Sequence, residues 1–168
     1  MKIAVTGASG YLGRALLPAL SDEHEVFPSD LNPHDGSVIR VDVLERQDLE
    51  RLLPGMDIVI HLACASADKR LPETENDTRI FDTRLKGSYN VMHAALEAGT
   101  SRVLQVSDLC IFSGYDPDTV VSEDFVPLPD DSAMQQSIYL SELIGMEFGR
   151  HKPGLVLTLR LGKLVETY

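Results

Sequence analysis

The chain has 168 residues, a net charge of −11 and 43% hydrophobic residues, which suits one globular domain. The negative charge argues against general binding to nucleic acids or anionic membranes. No apolar run approaches the ~20 residues that span a bilayer, and Met1 leads into a strand without a signal peptide, so we expect a cytoplasmic protein. Its two cysteines, Cys64 and Cys110, lack metal or disulfide spacing, and we expect buried free thiols and no metal site.

The N-terminus predicts a strand, a glycine turn and a helix. Ile3 to Val5 are apolar, three glycines follow at intervals of three, and a helix-compatible segment runs from Leu12 to Leu20. Gly7 permits a sharp turn, Gly10 lets the backbone approach a pyrophosphate, and Gly13 lets the helix pack close to the strand. In this context the glycines predict a dinucleotide site.

The phosphate contacts are expected from the backbone rather than from side chains. The helix N-terminus carries partial positive charge, and the peptide N–H groups around Ser9, Gly10, Tyr11 and Leu12 are placed to bind a diphosphate. The alternative is a glycine-rich turn that binds nothing.

Strand-like and helix-like stretches then alternate without a break in composition. The predicted strands are Glu25 to Ser29, Val38 to Val41, Asp57 to Leu62, Arg102 to Ser107 and Leu155 to Leu161. The predicted helices are Leu44 to Leu53, Thr78 to Ala98 and Met134 to Arg150, with an acidic, proline-rich loop from Gly114 to Ser132. This order predicts an α/β fold, a Rossmann-type doubly wound parallel sheet with helices on both faces, formed by residues 1–168 as one domain.

Two acidic positions after strands predict how a dinucleotide is held. Asp30 follows the second strand, where its carboxylate accepts hydrogen bonds from ribose hydroxyls and repels a 2′-phosphate, which favours NAD over NADP. Asp42 and Val43 follow the third strand and could bracket an adenine. Asp42 could equally be the N-cap of the next helix.

Several motifs in order resemble the extended short-chain dehydrogenase/reductases of the NAD-dependent epimerase/dehydratase family. They are TGASGYLG, Asp30, Asp42-Val43, the HLA of His61 to Ala63, the run from Gly87 to Ser107, Ser122-Glu123-Asp124, Tyr139, and the TLRLG of Thr158 to Gly162. The resemblance implies a bound nicotinamide dinucleotide lined in part by Leu62 and Ala63. It also implies sugar or sugar-nucleotide substrates and a homodimer through helices 78–98 and 134–150.

Catalysis in that family uses a tyrosine, a lysine four residues later, a serine or threonine near strand five, and a helical asparagine. Tyr139 matches the tyrosine, but Leu143 stands at the lysine position, and a one-residue slip offers only Glu142. The hydroxyl position falls on Asp108 and the asparagine position on Arg84. The usual proton-transfer machinery is therefore missing, and Tyr139 is expected to stay protonated.

Arg84 and Asp108 are expected to approach each other in such a fold. As an ion pair they would plug the former active site, or the guanidinium would replace the missing lysine or bind a substrate carboxylate. The chain ends where relatives continue, so we expect the substrate lobe to be absent or supplied by a partner, with strand six near an open edge.

Three functions are compatible with these residues. The first is an NAD-dependent oxidoreductase or epimerase that acts on a sugar-like substrate through Tyr139, Arg84 and Asp108. The second is a protein that binds NAD without turnover. The third is a fragment that retains only the cofactor half.

Overall fold

The structure is a computed structural model, and it describes residues 1–162 and 164. Within these residues, six parallel strands form one sheet in the order β3-β2-β1-β4-β5-β6. They are β1 Lys2–Thr6, β2 Glu25–Asp30, β3 Ile39–Arg40, β4 Ile58–His61, β5 Arg102–Asp108 and β6 Val156–Leu161. The predicted doubly wound topology is confirmed, whereas the predicted domain end at residue 168 lies outside the described residues.

Helices cover both faces of this sheet, as predicted. They are α1 Tyr11–Ser21, α2 Arg46–Leu52, α3 Glu73–Phe81, α4 Gly87–Glu97 and α5 Ala133–His151. Strand alternation divides the core: Ala4 of β1 packs with residues of α2 and α4, while its neighbours Ile3 and Val5 pack in a second cluster that includes Leu17 of α1. No helix in the described part of the chain has the length and apolarity that a membrane crossing requires.

The helix predicted over Thr78–Ala98 is in fact three segments. α3 begins at Glu73, directly after Pro72, and a π-helical turn over Asp82–Lys86 joins it to α4. The first turn of α3 is polar, so apolar spacing could not show it. The π-helical turn adds a residue per turn and shifts the face that each later side chain presents.

The order in which successive strands are added to the sheet switches sides between β1 and β4, and this switch point positions the site. The chain moves outward from β1 to β3 and returns to β4 on the other side. Both β1 and β4 end at one edge, where Thr6 and His61 are register partners. A crevice at the carboxyl ends of such strands is where open α/β sheets bind ligands. As predicted, β6 is at the sheet edge, and its Leu157 and Leu159 are exposed.

Candidate functional site

A crevice opens at the carboxyl edge of the sheet, between β1 and β4. It consists of two adjoining cavities of about 780 Å³ and 350 Å³ that share Gly7, Gly10, Leu62 and Ala63. The larger cavity extends to Asp30, Asp42 and Val43 and is called the Asp30 end. The smaller extends to Arg84 and Asp108 and is called the Arg84 end. The predicted positions Leu62 and Ala63 thus lie where the two ends meet.

The glycine turn has the geometry expected of a close approach between backbone segments. Gly7 has a φ of +75°, and a Cβ there would lie 2.5 Å from the amide nitrogen of Ala63. A Cβ on Gly13 would lie 2.6 Å from the carbonyl oxygen of Ala8, so α1 packs directly on the loop. Only glycine fits at these two positions without moving the backbone.

The first turn of α1 presents free backbone donors to the crevice. In the described part of the chain, no protein acceptor receives the N–H groups of Tyr11, Leu12 and Gly13. Arg14 is the first residue of the helix whose N–H is bonded, to the carbonyl oxygen of Gly10. Three unpaired donors at the positive end of a helix dipole form an anion-binding position.

Ser9 differs from the neighbouring amides. Its N–H donates to the Asp30 carboxylate at 3.0 Å, and the backbone N–H of His34 donates to its hydroxyl at 3.1 Å. The Asp30 carboxylate also accepts the N–H of Asn32 at 2.9 Å. The serine therefore braces Asp30 against the glycine turn, and its amide is not available to a ligand, contrary to our expectation for Ser9.

Asp42 is not a helix cap. α2 begins at Arg46 with Glu45 as its N-cap, whereas one Asp42 oxygen accepts the N–H of Leu44 at 2.9 Å. The N–H of Asp42 itself donates to Asp48, and this hydrogen bond is the main cause that lowers the pKa of Asp48. Asp42 thus lies at the Asp30 end, and its second carboxylate oxygen accepts no hydrogen bond from a described residue.

A buried chain of hydrogen bonds crosses the floor of the Arg84 end. The Nδ1 atom of His61 lies 2.8 Å from the Thr6 hydroxyl, and its Nε2 lies 3.1 Å from the Ser88 hydroxyl. Burial first, and the Arg84 guanidinium second, lower the pKa of His61 to about 4. The imidazole is therefore neutral at pH 7. These hydrogen bonds could not be predicted from the sequence, because Ser88 and Thr6 are 27 and 55 residues away from His61.

Arg84 and Asp108 line the same end but do not form the expected ion pair. Among the described residues, no carboxylate oxygen lies within 4.0 Å of the Arg84 guanidinium. One Asp108 oxygen instead accepts the N–H of Cys110 at 2.7 Å and caps a 3-10 turn over Leu109–Phe112. The plug interpretation in its ion-paired form is therefore wrong.

Tyr139 does not lie in the crevice. It packs beside Phe112 and lines a separate groove between α5 and the loop over residues 121–127. Ser141 lines the Arg84 end instead, because residues two apart on a helix point to nearly opposite sides. Arg84 and Asp108 therefore line the same cavity, whereas Tyr139 lies outside the crevice.

The residues at the family's lysine position also face away from the crevice. Leu143 lines the same separate groove as Tyr139. Glu142 is buried and accepts a two-pronged hydrogen bond from Arg160 of β6, at 3.0 Å from Nε and 2.9 Å from Nη2. The guanidinium of Arg160 lies 5.0 Å from the ring centre of Phe112. This cluster fastens β6 to α5, and Glu142 acts as a structural residue.

The two cysteines differ from each other. Cys64 is exposed at the mouth of the crevice, so the expectation of a buried thiol is wrong for this residue. Cys110 is half-buried, and burial, with the Asp108 carboxylate as a second cause, raises the pKa of its thiol to about 12. Cys110 is therefore protonated and unreactive at neutral pH.

Known proteins share this sequence pattern and fold. The profile of the NAD dependent epimerase/dehydratase family matches residues 3–137. L-arabinose 1-dehydrogenase (NAD(P)(+)) of Haloferax volcanii is 32% identical over 98% of this chain and 67% of its own length. A short-chain dehydrogenase/reductase superfamily protein of Agrobacterium tumefaciens, solved with bound NAD, has a TM-score of 0.80 and 25% identity. UDP-glucose 4-epimerase of Thermus thermophilus, solved in complex with NAD, also has a TM-score of 0.80, at 23% identity.

The match is nearly complete for this chain and partial for the solved structures. Each of the two structures covers 95% of this chain. This chain spans only 48% and 54% of those two chains, which is about half their length. The chain belongs to the NAD dependent epimerase/dehydratase family.

Proposed function

We propose that the crevice binds a nicotinamide dinucleotide. The observation that carries this proposal is the row of free N–H groups on Tyr11, Leu12 and Gly13, facing a crevice that extends to either side. A diphosphate at these donors directs the adenosine to the Asp30 end and the nicotinamide to the Arg84 end. When bound, the nicotinamide supplies a hydride acceptor or donor.

We further propose that NAD is preferred over NADP. Asp30 is fixed by the amides of Ser9 and Asn32, so its negative charge stays at the adenosine side. Its oxygens retain lone pairs for ribose hydroxyls, while a 2′-phosphate would meet the carboxylate. Asp42 and Val43 line the same end, where an adenine amino group finds an acceptor and the ring an apolar wall.

For the chemistry, we propose cofactor binding without the family's usual proton transfer. Tyr139 lies outside the crevice, and Glu142 is held by Arg160. A second candidate is an oxidoreductase or epimerase acting on a sugar-like substrate through Arg84 and Asp108. The Arg84 Nε, which has no acceptor among the described residues, favours it, and relatives named for L-arabinose and UDP-glucose indicate the substrate class.

Calorimetry tests the binding proposal. We expect NAD to bind more tightly than NADP, and Gly10→Val to abolish binding by placing an isopropyl group over the free amides. Gly10 has a φ of −70°, which valine adopts, but its Cβ would lie 3.2 Å from the carbonyl oxygen of Gly7, so thermal unfolding of the variant must show that it is folded. Gly36→Val is the matched control, because a Cβ at Gly36 meets no atom within 4 Å. Absence of NAD binding, or equal binding by Gly10→Val, would contradict the proposal.

Turnover is tested separately with NAD and a panel of sugars. Cofactor binding with neither NADH formation nor a new sugar epimer, detected by chromatography, agrees with the first candidate. NADH formation that Arg84→Gln abolishes would instead establish the second.

We also propose a homodimer through the helical segments 78–98 and 134–150. α4 and α5 lie side by side, and both carry exposed apolar residues, among them Tyr89 and Leu140. Light scattering at micromolar concentration should give the mass of two chains, and Tyr89→Glu with Leu140→Glu should give one. A monomer in the unmodified protein would contradict this arrangement.

A further inference from the structure

Arg84, after which the Arg84 end of the crevice is named, lies on an irregular turn of helix. It is the middle residue of the π-helical turn Asp82–Lys86, a type of turn that occurs often at functional sites. The side chain is half-buried, and its Nε atom is buried without an acceptor in the described part of the chain. Its Nη2 lies 3.9 Å from the sulfur of Met134, which is a weak acceptor.

Among the described residues, no carboxylate lies within 4.0 Å of the Arg84 guanidinium to neutralise its positive charge. Asp108, an acidic residue that lines this end, accepts the backbone N–H of Cys110 with one carboxylate oxygen. The charge acts on its surroundings, since it helps to lower the pKa of His61 and opposes the rise in the pKa of Cys110. Of the described residues that line the Arg84 end, only Arg84 is a lysine or arginine.

Ser107 supplies a second unpaired donor at the same place. Its side chain is 4% exposed, and its hydroxyl has no hydrogen-bond partner among the described residues. A buried hydroxyl and a buried guanidinium Nε that both lack an acceptor among the described residues are costly. Because both residues line one end of one cavity, a single bound acceptor would satisfy both groups.

We propose that Arg84 and Ser107 bind the carboxylate of a small organic acid at the nicotinamide end of the crevice. This inference rests on the proposed function and adds the substrate class to it. A carboxylate accepts hydrogen bonds from a guanidinium fork and from a hydroxyl at once. The bound acid would lie beside the neutral His61 and Ser88 pair that forms the floor.

The surroundings favour a single carboxylate over other groups. Asp108 contributes a negative charge at this end, and the chain carries a net charge of −11, so a doubly charged phosphate would be repelled more strongly. The acid would share the cavity of about 350 Å³ with the nicotinamide, which restricts it to a small molecule. A neutral hydroxyl would leave the half-buried guanidinium without a counter-charge.

The test compares acids with neutral analogues on the NAD-saturated protein. D-glucuronate is titrated against D-glucose, and lactate against propane-1,2-diol, by calorimetry. We expect at least one acid to bind at least tenfold more tightly than its neutral partner. Arg84→Gln should weaken that binding by roughly tenfold to a hundredfold, and Ser107→Ala by a smaller factor. Lys86→Gln is the matched control, because Lys86 is exposed in the same turn and does not line the crevice.

NAD titration of each variant separates this inference from the proposed function. If NAD binds normally to the unmodified protein and to Arg84→Gln, but neither acid binds better than its analogue, the carboxylate site is refuted and the dinucleotide site stands. The inference is also refuted if Arg84→Gln weakens NAD instead of the acid. Failure of NAD to bind the unmodified protein would overturn the proposed function itself.

Discussion

Acidification should destabilise the fold through one buried residue, His61. Its side chain is 4% exposed, and both ring nitrogens contact hydroxyls. Burial, assisted by Arg84, lowers its pKa from 6.5 to about 4. Between these values the unfolded chain binds the proton and the folded chain does not, so the free energy of unfolding falls as the pH falls. The difference in pKa corresponds to about 3 kcal/mol, most of it lost by pH 4.5.

Urea unfolding followed by circular dichroism, between pH 7 and pH 4.5, measures this loss. His61→Asn should remove most of the pH dependence in that window, whereas His151→Asn, at the exposed end of α5, should leave it unchanged. Hydrogen bonds lower the pKa values of Asp35, Asp48 and Asp68 below 3.8, so their contributions are lost at lower pH. A flat profile in the unmodified protein, or an unchanged slope in His61→Asn, would refute the reasoning.

Three further variants probe the turn, the cofactor preference and the α5–β6 contact. Gly7→Ala should lower the free energy of unfolding by about 2 kcal/mol or more, because its Cβ meets the backbone of Ala63 at a positive φ; thermal unfolding that matches the unmodified protein would contradict this. Asp30→Ser should move the ratio of NAD to NADP affinity toward NADP by roughly tenfold, measured by calorimetry, and an unchanged ratio would rule out the proposed role. Glu142→Gln should cost about 2 kcal/mol by leaving Arg160 without its counter-charge, whereas Arg150→Gln, which removes an exposed ion pair with Glu147, should cost less than about 1 kcal/mol. Equal losses in urea unfolding would show that the Glu142 contact is no stronger than a surface pair.

The sheet and the glycine turn could be predicted because their signals are local. Gly13 is required by its contact with Ala8 in the same turn, and Gly7 by a turn with positive φ, although its close contact is with the distant Ala63. Apolar runs mark the buried parallel strands. The helix boundary at Glu73 was missed, because a polar first turn has no apolar periodicity.

The inner part of the site depends on contacts that spacing does not reveal. Tyr139 and Ser141 differ by two positions, and only the rotational setting of α5 decides which one lines the crevice. Arg84 and Asp108 do share a cavity, but the 3-10 turn after β5 directs the Asp108 carboxylate toward its own backbone. The amide of Ser9 is likewise taken by Asp30, 21 residues away. In each case the side chain or amide is held by a contact that no motif or spacing in the sequence indicates.

The most direct test of the account is a crystal structure of the protein grown with saturating NAD. We expect diphosphate oxygens within hydrogen-bond distance of the Tyr11 and Leu12 amides, the adenosine ribose on Asp30 and the nicotinamide beside Arg84. A crevice without the dinucleotide at saturation, or a diphosphate bound away from the start of α1, would contradict the account.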